Sequence, residues 1–214
     1  MSTPLASLLG SVLPFVGASL LATTADAGNA LRVGPGQPFT TIQSAVDAAL
    51  PGDLVLVDPG TYAPFSVSKD LTILPSHVQF SIAATSGVPE IVVQNVALGD
   101  VVTILGVFIQ HDDKVAPAVR GTGNGGAVRL SRIVVDQATD LLGATIQASV
   151  EVTNTATFWL IDSSIWPATP RLGFTLNPRC EGGICNDGIS GLQLSDSNGM
   201  IQNSRVRGYG NDGI

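Results

Sequence analysis

Apolar and polar positions alternate over short distances through most of this chain, and Gly, Asn, Asp, Ser and Pro repeatedly interrupt the alternation. The runs Leu54–Val57, Leu71–Leu74, Ile91–Val96, Val101–Ile109, Ala127–Asp136, Thr145–Thr153, Thr157–Ile165, Ile189–Leu194 and Met200–Val206 are rich in Val, Ile and Thr. Such side chains suit a pleated, half-buried surface, so these runs predict short strands. A different period appears once. Ile42, Ala45, Val46 and Ala49 fall at i, i+3, i+4 and i+7 and predict one amphipathic helix. Thr40-Thr41-Ile42-Gln43 reads as its capping box, with Thr40 accepting from the backbone at Gln43 and Gln43 reaching back; Pro51-Gly52 ends it. One helix ahead of a long series of strands argues against a doubly wound α/β sheet, in which the two alternate.

The strand pattern recurs. Asn186-Asp187-Gly188-Ile189 returns as Asn211-Asp212-Gly213-Ile214. A looser element, with apolar residues five apart around a small or polar one, fits Ile104-x-Gly106-x-x-Ile109, Leu160-x-Asp162-x-x-Ile165 and Ile201-x-Asn203-x-x-Val206. Val128–Ile133 fits it with Leu130 in the small position, which sets offsets of 24, 32 and 41 residues. A shared strand pattern at unequal spacing is what a solenoid with loops of varying length produces. Stacking also accounts for the scarcity of lysine, Lys69 and Lys114 only. Strand edges then exist only at the two ends of the stack, so few edges need a blocking charge.

Phe39-Thr40-Thr41-Ile42-Gln43-Ser44-Ala45-Val46-Asp47-Ala48-Ala49, then Pro51-Gly52-Asp53, then Val55-Leu56-Val57-Asp58-Pro59-Gly60-Thr61-Tyr62, closely resembles the opening of parallel β-helix proteins of the pectin-lyase-like superfamily. The likeness covers roughly residues 31–75, and the rest matches only as coil repeats. It implies an all-β fold, a right-handed parallel β-helix (solenoid) with an N-terminal capping helix. It implies no particular activity, because many functions share that fold.

Composition narrows the class. The 214 residues are 44% apolar and 13% charged, enough for a sizeable core and unlike a disordered chain. Ten Lys and Arg against seventeen Asp and Glu, net charge −7, argue against a nucleic-acid groove. Two cysteines cannot build a four-thiolate zinc site, and the two histidines lie far from them. Leu5–Ala22 carries no charge and is followed by Ala25-Asp26-Ala27, an A-x-A pattern, so residues 1–27 read as a signal peptide or, failing cleavage, an N-terminal anchor. The expected location is secreted or at the cell surface, with no membrane contact once the leader is removed. Cys180 and Cys185 bracket a short Gly-containing loop and are expected to form a disulfide there. Residues 28–214 are the β-helix domain, and a chain that stops at Ile214 straight after a repeat signal reads as part of a longer β-helix.

Several residues could carry chemistry. Asp187 and Asp212 recur one coil apart and could act as paired carboxylates on a glycosidic bond. They loosely resemble the start of the polygalacturonase motif set, of which only the final Asp of each element is matched. Asn-Asp-Gly is equally a turn tripeptide. Arg205 and Arg207 flank Val206 and should face outward, to bind an acidic sugar or make surface ion pairs. Trp159 alternates with Phe158 and Leu160 and could stack on a sugar ring, as could Trp166. His111-Asp112-Asp113-Lys114 is a polar cluster, read as a metal or acid/base site or as a plain loop; His77 reads as a turn residue. Gly121–Gly126 resembles a phosphate cradle but lacks the lysine and helix that would follow, and reads as a flexible loop.

Two function classes follow. One is an exported repeat protein that binds polysaccharide or another surface polymer, with no complete catalytic site in this chain. The other is a polysaccharide lyase or glycoside hydrolase acting on a pectin-like polymer, its site completed beyond residue 214. A self-assembling surface protein is a third. No cofactor or metal site is expected; calcium enters only for a lyase.

Overall fold

The computed structural model describes residues 28–111, 116–137, 149–166 and 192–206. The chain opens with β1 (Ala30–Val33) and α1 (Ile42–Ala48), then β2 (Asp53–Val57), β3 (Thr61–Tyr62), β4 (Phe65–Val67), β5 (Leu71–Pro75), β6 (Phe80–Ile82) and β7 (Ile91–Gln94). It continues through β8 (Val101–Leu105), β9 (Val107–His111), β10 (Val119–Ser131), β11 (Val134–Gln137), β12 (Val150–Ile161), β13 (Ser164–Trp166), β14 (Leu192–Ser195), β15 (Gly199–Gln202) and β16 (Arg205–Val206). Among these residues the strands form a ten-stranded and a six-stranded sheet, and every ladder between them is parallel.

The ladders wind into a solenoid with three outer faces. The first runs β1, β2, β5, β8, the second half of β10, the second half of β12, and β15. The second runs β3, β6, β9, β11, β13 and β16. The third runs β4, β7, the first half of β10, the first half of β12, and β14. β10 and β12 each bend from the third face into the first, which joins those two faces into one sheet.

Alternation sends every second side chain inward, and the inward residues stack in columns. Val55, Ile73, Ile104, Leu130 and Leu160 follow one another by register and are fully buried. Tyr62, Ile82, Ile109, Val135 and Ile165 form the matching column of the second face. Each buried Val, Leu or Ile contributes about 1.5–3 kcal/mol, and none can bury that surface without the turns on either side.

The bends between faces are also columns. Gly106, Arg132, Asp162 and Asn203 lie between the first and second faces at φ 68°, 52°, 49° and 49°. Gly106 N–H donates to the Ser131 carbonyl, Arg132 N–H to Ile161, and Asp162 N–H to Gln202, at 2.9–3.0 Å. The next residue points inward, and a side chain one turn on satisfies its N–H: Ile133 N–H donates to Ser163 Oγ and Ser163 N–H to Ser204 Oγ, each at 3.1 Å. Asn95, Gly123, Asn154 and Asp196 make the same left-handed column between the third and first faces. There Val96 N–H donates to Asn124 Oδ1 and Thr155 N–H to Ser197 Oγ. Asn124, 1% exposed, also donates to the Val93 carbonyl and Thr155 Oγ1. A buried N–H left without an acceptor costs about 1–3 kcal/mol, which is why small polar residues sit inside these bends.

Three expectations are corrected. The N-cap of α1 is Thr41, whose Oγ1 accepts from Ser44 N–H at 3.2 Å. Gln43 instead reaches sideways, and its Oε1 accepts from Ser66 N–H in β4 at 2.8 Å. The Ile42, Ala45, Val46 and Ala49 stripe is buried as expected, with α1 packed on β1, β2 and β4. The repeat window placed at Val128–Ile133 is slipped by two: Leu130 pairs with Ile104 and Leu160, so the element is Leu130-x-Arg132-x-x-Val135. Arg132 holds a place where a small residue was expected. Lastly, Gly121–Gly126 is no flexible loop but the bend inside β10, where a Cβ on Gly126 would lie 2.3 Å from the Ala97 carbonyl oxygen.

Candidate functional site

With the interior filled, any recognition falls to the outer faces. On the first face the outward residues form two rows along the stack. One row is Leu54, Thr72, Thr103, Arg129, Trp159 and Met200; beside it run Leu56 and Leu74, then Leu105, Ser131, Ile161 and Gln202. Trp159 faces out, as the alternation predicted, while Phe158 and Leu160 are fully buried. It is half-buried and lies by register between Arg129 and Met200, each one strand spacing of about 4.8 Å away. Arg129 is exposed, and among the described residues no carboxylate pairs with it. The Leu and Ile members of both rows are half-buried and Met200 is exposed, so this end of the face offers one broad ring, one free guanidinium and the Thr103 and Thr72 hydroxyls in line.

The third face is polar. Ser66, Val92, Arg120, Glu151 and Gln193 form one outward row, and Gln94, Thr122, Thr153 and Ser195 another. Arg120 Nε donates to Glu151 Oε2 at 3.1 Å, and Thr153 Oγ1 donates to Thr122 Oγ1 at 3.1 Å. The ion pair is partly exposed, which places it among surface pairs of about 0–1 kcal/mol.

Arg205 is exposed in β16 on the second face, paired by register with Ser164. The structure therefore puts Arg205 and Trp159 on different faces rather than in one site. Asp187, Asp212, Arg207, Cys180 and Cys185 lie outside the described residues, as do Asp112, Asp113 and Lys114. His111 ends β9 and turns inward: 1% exposed, its Nδ1 lies at hydrogen-bond distance, 3.1 Å, from both carboxyl oxygens of the fully buried Glu90. This is an interior pair, closed off from any ligand. Arg129 was missed by the sequence reading; the alternation Val128-Arg129-Leu130, aligned with Phe158-Trp159-Leu160, is the signal that finds it.

Among the described residues no three His, Cys, Asp or Glu side chains are grouped to hold a metal ion, and no helix is long and apolar enough to cross a membrane. No family model, curated protein or solved structure matches the chain. The ladders themselves define its class, a parallel β-solenoid protein.

Proposed function

We propose that this chain is an exported polymer-binding β-solenoid of the pectin-lyase-like kind, and that a polysaccharide lies along its first face. The row Thr72, Thr103, Arg129, Trp159 carries the reading. A sugar ring presents an apolar face that an indole can stack on, and hydroxyls and carboxylates that a guanidinium and threonines can bond. A straight row repeated once per strand spacing suits a ligand that is itself a repeat. The uncharged stretch Leu5–Ala22 ahead of Ala25-Asp26-Ala27 supports export, which would bring the protein to such polymers.

Binding is tested by affinity electrophoresis on neutral glucans, pectin, polygalacturonate and alginate. At least one polymer should retard the protein, with retardation reduced about tenfold in Trp159→Ala and in Arg129→Ala while thermal unfolding stays cooperative. A protein that no polymer retards, or variants that bind like the parent, would overturn the reading. Including polyuronates matters because the net charge of −7 opposes an acidic polymer, and Arg129 on this face favours one.

A further inference from the structure

A second feature lies away from the Trp159 row, at the bend between the first and second faces. Pro75, His77, Val78, Gln79, Gly106 and Arg132 line a cleft of about 650 Å³. Gly106 packs close to Pro75 in its wall, where a Cβ would lie 2.8 Å from the Pro75 ring. Two cationic or titratable groups line it, and both have bonding capacity to spare.

The first is His77. Ser76 Oγ gives its proton to Asp58 Oδ1 at 2.7 Å and lies 3.0 Å from His77 Nδ1. The hydroxyl has one proton and has donated it, so Nδ1–H must donate to Ser76 Oγ. Asp58 is held on the acid side of the ordinary aspartate range, chiefly by the Ser76 bond against the opposing effect of burial, with help from Gln37, Arg32 and the His77 ring. The carboxylate thus stays ionised, one hydroxyl away from the imidazole. Protonated, His77 offers Nε2–H, for which the described residues provide no partner.

The second is Arg132. It holds φ 52° in a column whose other members are Gly106, Asp162 and Asn203. A non-glycine residue there is strained, and the short polar side chain of Asn bears it best. No described carboxylate forms an ion pair with Arg132, although Asp162 follows it in the column and Asp136 is exposed on β11. An arginine kept in a strained position, unpaired and beside a cleft is the kind of outlier that points to a ligand.

We propose that this cleft is an oxyanion site in which Arg132 and the protonated His77 ring hold one phosphate or carboxylate group. The planar guanidinium suits a two-oxygen contact. Binding takes up a proton at Nε2, so affinity falls as pH rises and the ring becomes neutral. Facing this side of the cleft, Asp58 is engaged by Ser76 and Gln37, and Arg32 acts on the same carboxylate. A free oxyanion and one carried on a polymer share this chemistry, and two probes separate the cases.

The full chain is titrated with inorganic phosphate and, separately, with oligogalacturonate, following the His77 ring by NMR at several pH values. Saturable shifts that strengthen at lower pH are expected. Affinity should fall about tenfold or more in Arg132→Asn and in His77→Gln. Arg132→Asn suits the left-handed backbone and should unfold at the same or a higher temperature, so its loss of binding would not be a loss of fold. Response to phosphate supports a site for free oxyanions; response to the oligomer alone supports a polymer-borne carboxylate. No shift with either probe, or unchanged affinity in Arg132→Asn, would overturn the proposal. Trp159→Ala should leave the phosphate response intact, which separates failure here from failure of the first-face reading.

Discussion

His111 shows how far a residue's neighbours in sequence can mislead. Beside Asp112, Asp113 and Lys114 it reads as part of a polar loop cluster, yet its ring lies inside the stack against Glu90, which is 21 residues earlier. That partner was not legible, because the pairing depends on where two bends fall and not on a local pattern. Burying a charged or polar pair gives little net stability, but removing one member strands the other in a dry interior, at about 3–5 kcal/mol. His111→Leu should therefore cost about that much in urea unfolding. The double variant Glu90→Leu with His111→Leu should recover a large part of the loss, since neither group is then left unpaired. Purely additive losses would show that the two side chains do not depend on each other. Trp159 is the opposite case: its outward direction followed from the two residues beside it, because alternation on a strand is a local property.

At the scale of elements, the strands were legible and their breaks were less so. Val101–Ile109 reads as one run but is two strands, β8 and β9, turned at Gly106; Ala127–Asp136 divides at Arg132 in the same way. The small-or-polar position in the repeat is this bend, and it accepts Gly, Asp or Asn because those residues tolerate positive φ. Arg132 does not fit that rule, so the window slid by two onto Val128–Ile133. The capping box failed for a similar reason: Thr40 and Thr41 are adjacent candidates, and only the packing of Gln43 against Ser66 decides between them. If the bend column is what breaks the strands, its backbone conformation sets the cost of substitution even at exposed positions. Asp162 is exposed at φ 49°. Asp162→Val should cost about 1–2 kcal/mol, and Asp162→Asn less than about 0.5 kcal/mol, by chemical denaturation. Equal costs would mean that the left-handed conformation is not what the position selects.

For the molecule as a whole, the question is how turns of unequal length keep one register. Ile73 pairs with Ile104, Ile104 with Leu130, Leu130 with Leu160 and Leu160 with Ile201, steps of 31, 26, 30 and 41 residues. The inward columns stay aligned across these unequal steps. The sequence showed the unequal spacing, and unequal spacing on a common pattern was what suggested a solenoid. It did not show β1, β3, β4 and β6, which are too short to carry a period of their own and are held by the turns beside them. The outer row from Thr72 to Trp159 exists only because the inner columns align, so the proposed polymer face inherits its straightness from the core. This division of labour can be tested by insertion. Leu98 is 89% exposed and Gly99 has φ 94°, in the connection between β7 and β8. Two glycines inserted after Leu98 should cost less than about 1 kcal/mol, since lengthening a loop adds little closure entropy. A single alanine inserted after Ile104 reverses the alternation of the rest of its strand and sends inward residues out. It should abolish cooperative unfolding or leave the protein insoluble. Similar losses for the two insertions, measured by circular dichroism during urea unfolding, would mean that register is not stored in the stacked columns.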